Sequence, residues 1–395
     1  MPRAEGVAPA RWREAWAAVD LGAVRHNVGT MVELVAPAAV CAVVKADGYG
    51  HGAVEVAGAA LSAGATVLAV ALVEEGAVLR AAGITAPVLL LSEPPPAAMA
   101  EAVALALTPT LYTPAGVVAA AAAGGGALGV HLKVDTGMHR VGAAPTDLPA
   151  LARSAAAAAL RIDGLWTHLA AADDPAQDEA TAAQLERFDR ARHALAAEGV
   201  RPPVLHAANS AGAIAHPKAR YDMVRCGIAL YGHPPSAAME GAVTLRPALS
   251  LRARVAMVRR FAVDERVSYG RRYAVAAGSQ VLTVPLGYAD GVPRRLSEVG
   301  GEVLVGGRRC PVAGTVTMDQ LLVDAGRGPG AAVGDEVVLI GRQGTEEITA
   351  DEWAERLGTI SYEVLCGIGP RVPRVYERGG DAGLSGRAAA VRSFR

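Results

Sequence analysis

The chain has 395 residues, a formal net charge of −1, 52% hydrophobic and 19% charged side chains. Such a composition excludes a largely disordered protein, and the length fits two domains rather than one. The near-neutral balance argues against a nucleic-acid or anionic-membrane partner, either of which would require a basic face.

The N-terminal residues, MPRAEGVAPARWREAW, carry charges where an export signal needs an apolar run, so a cytoplasmic location is expected. Up to residue 245, short apolar runs alternate with Ala/Leu-rich segments. The candidate strands are 39–44, 66–71, 87–91, 105–111, 129–134, 162–168, 204–207 and 222–226. Helical spacing lies between them, as in 178–198, where Leu185, Phe188, Ala191 and Leu195 recur on one face. No residue from Ala102 to Val130 is charged, but Pro109, Pro114 and Gly124 to Gly126 interrupt the stretch, which makes it globular core rather than a membrane span. Eight strand–helix repeats are what an α/β fold of the (β/α)8 TIM-like barrel type requires. Alternation alone leaves a doubly wound open sheet as the alternative.

Near Pro247 the texture changes to short β-type runs at 251–258, 281–285, 302–305, 320–323 and 336–340, punctuated by Gly and Pro. One helix is expected from Thr349-Ala-Asp-Glu352, a capping-box pattern, with a stop at Gly358. The expected division is therefore a barrel over 16–245, a mainly β domain over 246–380 joined by an N-terminal segment 1–15, and a loose tail over 381–395. Cys41, Cys226, Cys310 and Cys366 are far apart and form no C-x-x-C pair. That spacing favours free thiols over a metal site or a disulfide framework.

In a barrel, the C-terminal strand ends form one rim, where such folds place their chemistry. Lys45, Arg140, His168, Ser210, Arg225 and Tyr231 fall there. Lys45 directly follows the apolar run 40–44, and a lysine so placed tends to lose its charge and become nucleophilic. The competing reading is a lysine reaching to the rim beside Asp47. Taken singly, Arg225 reads as an ion-pair residue, Tyr269 as a turn tyrosine before Gly270, and Tyr49 and Tyr362 as buried structural tyrosines. His51 and His206 read as packing or loop histidines.

The segment Ala42-Val-Val-Lys-Ala-Asp-Gly-Tyr-Gly-His-Gly52 resembles the cofactor-attachment motif of alanine racemases, which use pyridoxal 5′-phosphate (PLP). The similarity continues in order through Lys133-Val-Asp-Thr-Gly-Met-His-Arg140, Thr167-His168, Asn209-Ser210 and Arg225-Cys-Gly-Ile-Ala-Leu-Tyr-Gly232. Beyond the texture change it includes Ser268-Tyr-Gly270, Gly287-Tyr-Ala-Asp-Gly291, Thr317-Met-Asp-Gln320 and Ile360-Ser-Tyr-Glu-Val364, and it spans roughly 16–376. One such motif is weak evidence, whereas the ordered series is specific.

The resemblance implies a homodimer with active sites shared between subunits, alanine as substrate, and D-alanine supplied for cell-wall peptidoglycan. Lys45 would form the Schiff base and act as one base. Tyr269 from the partner subunit would be the other, tuned through His168 and Arg225. Arg225 would face the pyridine nitrogen, and a guanidinium there cannot readily hand over a proton. Tyr49, Asn209, Ser210, Tyr362 and the amides of Gly227 and Ile228 would hold the cofactor, mostly at its phosphate. Arg140 would bind the substrate carboxylate with the Met318 N–H of the other chain. Tyr288, Asp319 and Tyr362 would narrow the entry, and Lys133 matches a lysine that some relatives carbamylate. Thr317 stands where many relatives have cysteine. The alternatives are a racemase of broader specificity or a PLP-dependent decarboxylase of the same architecture. A non-catalytic PLP-carrier barrel would lack the second domain.

Overall fold

The computed structural model describes residues 12–124 and 128–377. The expected tail over 381–395, most of the segment 1–15, and Gly125 and Gly126 lie outside the described residues.

Strand β1 (Ala15–Asp20) is followed by a helix over Leu21–Val35, whose first amides are capped by Asp20 Oδ1. Eight parallel strands come next: β2 (Ala39–Val43), β3 (Val67–Val70), β4 (Val88–Leu90), β5 (Thr110–Leu111), β6 (Gly129–Lys133), β7 (Arg161–Trp166), β8 (Val204–His206) and β9 (Met223–Cys226). They coincide with the eight candidate runs. The run 105–111 is shorter than expected, because Leu105 N–H still bonds to Glu101 O at the end of the preceding helix.

Parallel hydrogen-bonded ladders join β4-β3-β2-β9 and β5-β6-β7-β8, and two seams close the ring. At one, Leu90 N–H donates to Thr108 O (2.9 Å) and Thr108 N–H to Val88 O (2.8 Å). At the other, Asp222 N–H reaches Leu205 O (3.0 Å) and Arg225 N–H reaches Ala208 O (2.9 Å). The sheet is thus a closed barrel, and the doubly wound alternative is excluded.

The second domain holds β10 (Leu249–Arg254), β11 (Met257–Arg260), β12 (Glu265–Val267), β13 (Tyr273–Val275), β14 (Gln280–Val284), β15 (Glu302–Val305), β16 (Arg308–Pro311), β17 (Leu321–Gly326), β18 (Glu336–Gln343), β19 (Glu346–Ile348) and β20 (Arg374–Glu377). The single run expected over 251–258 is two strands in two different sheets, β10 and β11. The break falls at Val255 and Ala256, whose amides bond to Asp335 O and Thr283 O, on opposite sides of the switch. The expected helix is present as Ala350–Leu357. Thr349 Oγ1 accepts from Glu352 N–H, and Gly358 closes the helix at φ 72°.

A barrel starting at residue 16 needs correction. β1 pairs antiparallel with β10 and parallel with the edge strand β20, inside the second domain's main sheet, so the N-terminal contribution to that domain extends to Asp20. Its Ala15, Ala17 and Val19 side chains are buried there. No helix among the described residues is long and apolar enough to cross a membrane.

Because β1 is an interior strand that joins β10 to β20, the fragment 246–377 alone should lack a cooperative thermal transition. The same fragment preceded by residues 12–20 through a flexible linker should regain it. Circular dichroism melts of the two would decide, and a cooperative melt of the short fragment would contradict the need for β1 in this sheet.

Candidate active site

A cavity of about 490 Å³ opens at the C-terminal ends of the barrel strands. Lys45, Tyr49, Lys133, Arg140, His168, Asn209, Ser210, Arg225, Gly227, Ile228 and Tyr362 line it together. Tyr362 and Cys366 enter from the second domain, on a helix over Ser361–Cys366. No carboxylate lines the cavity among the described residues.

Lys45 leaves the end of β2 into an unusual turn. Ala46, Asp47, Gly48 and Tyr49 all adopt left-handed helical angles, with φ of 52°, 51°, 60° and 52°. Each non-glycine residue held so costs about 1–2 kcal/mol, roughly 3–6 kcal/mol for the three. Gly48 is the one position where no Cβ strain arises, and a Cβ there would crowd Ala53 at 3.3 Å. The turn is anchored at both ends. Glu75 Oε1 accepts from Ala46 N–H (2.6 Å), and Arg374 Nε donates to Gly50 O (2.8 Å). Inside it, Ala53 N–H donates to Asp47 Oδ1 (2.9 Å). Burial, then the Arg140 guanidinium, lowers the pKa of Lys45, against the opposing pull of Glu75 and Cys366.

Trp166, fully buried at the end of β7, forms the cavity floor. Lys133 Nζ lies 4.3 Å and the Arg225 guanidinium 4.5 Å from its ring centroid. The His206 ring stacks on it at 5.6 Å and 11°. Burial, then Arg225 and Arg140, push Lys133 down to about 7. Arg225 is buried and has no carboxylate partner among the described residues. Its Nη1 donates to His206 Nδ1 (2.9 Å) and His206 O (3.2 Å). Its Nη2 donates to Thr167 O (2.8 Å), Ala207 O (2.9 Å) and His168 Nδ1 (3.3 Å). Burial pushes this guanidinium down to about 10, and it remains a cation near neutrality.

These contacts fix tautomers. A guanidinium only donates, so Nδ1 of His206 and of His168 must accept, and each neutral ring then carries its proton on Nε2. His206 Nε2–H donates to His131 Nδ1 at 2.9 Å. Burial and Arg225 hold His168 and His206 well below the usual imidazole range, and burial holds His131 down to about 4.

The rest of the lining offers hydroxyls and amides. Ser210 Oγ accepts from Gly227 N–H (2.9 Å), and Asn209 Oδ1 caps the helix over Ser210–Ala215 through Gly212 N–H (2.9 Å). Gly227 must be glycine, because a Cβ there would overlap Tyr49 Oη. Burial raises the Tyr49 and Tyr362 hydroxyls, so both are donors near neutral pH. Ile228 N–H opens a short helical turn and has no acceptor within it. Asp135 Oδ1 gathers the N–H groups of Gly137, Met138 and His139, shaping the loop that returns Arg140 to the cavity.

The remaining candidates are elsewhere. Tyr269, Tyr288 and Met318 are 74%, 43% and 52% exposed on the second domain, and none of them lines the Lys45 cavity of its own chain. Tyr269 sits in a turn set by Ser268 at φ 63°, whose Oγ donates to Thr315 O (2.9 Å). Asp319 is exposed and paired with Arg371 at 2.8 Å. Tyr231 does not line the cavity either. Its hydroxyl donates to Val43 O (2.9 Å) and its ring stacks on Tyr49 at 4.7 Å, so it supports the lining from behind. His206 is more than packing, since it orients Arg225. His51 remains buried beneath Tyr231. Sequence reasoning missed Trp166, Glu75 and Asp135. His206 and Trp166 fall within expected strands and Asp135 within a quoted motif, and those placements were the available signal.

Residues 19–235 match the alanine racemase N-terminal domain model, and residues 248–376 match the C-terminal domain model. The chain is 50% identical to an alanine racemase of Symbiobacterium thermophilum over 369 residues, covering 92% of this chain and 97% of that protein. It is 44% identical to one from Desulfovibrio desulfuricans over 369 residues, covering 92% and 98%. A crystal structure of alanine racemase from Bacillus anthracis with bound L-Ala-P superposes with a TM-score of 0.89 at 39% identity, covering 94% of this chain and 97% of that one.

The chain has only three lysines, Lys45, Lys133 and Lys218, which makes chemical mapping direct. With its pKa near 7, Lys133 is largely neutral above that pH and protonated below it. Acetic anhydride labelling of the native protein, read by peptide mass spectrometry, should therefore modify Lys133 with a midpoint near pH 7. An exposed lysine titrates at ~10.4. A midpoint above about 9 for Lys133 would refute the electrostatic picture of the cavity.

Proposed function

The chain belongs to the alanine racemase family, and on that premise we propose that it interconverts L- and D-alanine with PLP held in the barrel cavity, as a homodimer whose sites are completed by the partner subunit. The D-alanine so made would serve cell-wall peptidoglycan. The observation that carries the reading is the convergence, in one cavity, of a depressed lysine and a buried guanidinium without a carboxylate.

The donor set fits the cofactor. Lys45 supplies a primary amine that burial keeps nucleophilic. Ser210, the Tyr49 and Tyr362 hydroxyls and the Ile228 amide suit a phosphate, because they bind an anion without adding fixed cations. Arg225 is pinned through Nη1 and Nη2, and its Nε makes no hydrogen bond among the described residues. When bound, PLP would make the substrate Cα–H acidic by drawing electrons into its ring.

The chain's own groups then divide the work. Arg140 would take the substrate carboxylate. Lys45, once released, would move a proton on one face of Cα. The partner subunit's Tyr269 would serve the opposite face. A phenol is too weak an acid unless its anion is stabilised. The Nε2–H of neutral His168, fixed by Arg225 at Nδ1, is the donor available for that task. Arg225 is itself held by His206, so His168 rests on an anchored guanidinium. Lys133, lowered to about 7, has a substantial neutral fraction near neutral pH, and carbamylation of that amine would supply an anion to orient Arg140. Tyr288, Met318 and Asp319 of the partner, with Tyr362, would restrict the substrate side chain to about a methyl group. A decarboxylase of this architecture would need an acidic partner for the ring nitrogen, and none lines the cavity among the described residues.

The shared site has a decisive test. Lys45→Ala and Tyr269→Ala should each be nearly inactive. Mixed under conditions of subunit exchange, half the dimers become mixed and each carries one intact site of two. Racemisation should recover to about a quarter of wild type. No recovery, with exchange verified by mass-tagged subunits, would rule out sharing.

Arg225→Glu should slow racemisation by roughly 100-fold and increase the share of keto acid formed from alanine. An unchanged ratio of keto acid to racemised alanine in a folded variant would place Arg225 away from the ring nitrogen.

A further inference from the structure

We propose that Glu75 is a positioning residue for Lys45: its carboxylate holds the left-handed turn that aims the lysine. The proposal rests on the reading of Lys45 as the cofactor lysine.

Glu75 is the third residue of the helix Val73–Ala81, and its Oε2 accepts from Ala71 N–H (2.8 Å) and Leu72 N–H (3.1 Å). That much is ordinary capping of a helix N-terminus. Capping leaves Oε1 with nothing to do. Instead Oε1 crosses to the neighbouring strand end and accepts from Ala46 N–H at 2.6 Å, the shortest of the three bonds. Ala46 follows Lys45 directly and opens the left-handed run. The direction of its N–H is set by the peptide plane it shares with Lys45, so anchoring that N–H fixes the plane from which the lysine departs. Three amide donors converge on one side chain, and only a carboxylate can accept from all of them. A glutamine would turn an NH2 group toward at least one donor. Charge-assisted bonds of this kind are among the strong ones. Arg374 secures the far end of the turn at Gly50, so Glu75 is the anchor on the lysine side.

The electrostatic surroundings point the same way. The groups acting on Lys45 are Arg140, Glu75 and Cys366, and Lys133 and His168 are also coupled to it. Burial and Arg140 favour the neutral amine, while Glu75 opposes them. Removing the Glu75 charge therefore extends the neutral range of Lys45 to lower pH.

The test compares full-length wild type, Glu75→Gln and Glu75→Asp. Three readouts are needed: the PLP dissociation constant from the visible absorbance titration, the thermal midpoint, and the pH profile of Lys45 reductive methylation in cofactor-free protein. Lys218 serves as the internal reference in the peptide map. Glu75→Gln should weaken PLP binding about tenfold and move the Lys45 profile to lower pH. Glu75→Asp keeps the charge but loses reach, so it should weaken PLP binding while leaving the profile near wild type. A drop in thermal midpoint alone, with PLP affinity and Lys45 profile unchanged, would reduce Glu75 to a helix cap and overturn the proposal. If Glu75→Gln does not fold, wild-type PLP affinity in Glu75→Asp overturns it equally. Borohydride reduction of the wild-type holoenzyme separates the two levels. PLP fixed to Lys133 or Lys218 would defeat the reading of Lys45 itself, whereas the methylation profile would still report on Glu75.

Discussion

Four basic side chains, Lys45, Lys133, Arg140 and Arg225, line one cavity from which carboxylates are absent among the described residues. Like charges in a partly buried space cannot all persist without compensation. The fold resolves this without placing an acid in the lining itself. Both lysines are driven toward neutrality, Trp166 presents its ring face to two of the cations, and Arg225 is satisfied by three backbone carbonyls and two imidazoles. What remains is an unspent affinity for anions. A phosphate and a carboxylate are what such a cavity would draw in, and hydroxyls and amides provide the directional bonds that a field alone lacks.

The same constraint explains the histidines. Burial, and the Arg225 cation beside them, disfavour a protonated imidazole, so His168 and His206 are held neutral and become fixed-tautomer connectors. Their proton positions follow from one fact, that arginine has no acceptor. Order in this network is therefore set by the least adaptable member. His131, at its far end, lies deep in the barrel and receives the last bond of the chain.

Much of this was legible in the chain. Apart from β5, the apolar runs marked the barrel strands nearly to the residue, because strands buried on both faces leave continuous β-branched and aliphatic signatures. The rim residues Lys45, Arg140, His168, Ser210 and Arg225 followed from strand ends alone. What escaped was what depends on pairing between distant segments. β1 is a short, mostly buried apolar run like any other, and nothing local says that its partner is β10. Glu75 reads as a helix cap, since the bond to Ala46 spans separate loops. Tyr231 sits at the right strand end but points behind Tyr49. Seams, neighbours and directions arise only when the ring closes.

The position of β1 has a consequence for how the protein is made. Ala15 is among the first described residues to leave the ribosome, and its partner Ala253 follows 238 positions later (253 − 15). At about 5–20 residues per second, the wait lasts roughly 12–48 s. Throughout that interval the strand carries apolar side chains and unmet amides, because no barrel strand pairs with it. The second domain thus closes around a strand translated well before the rest of it, and its completion draws segments from opposite ends of the described chain into one sheet.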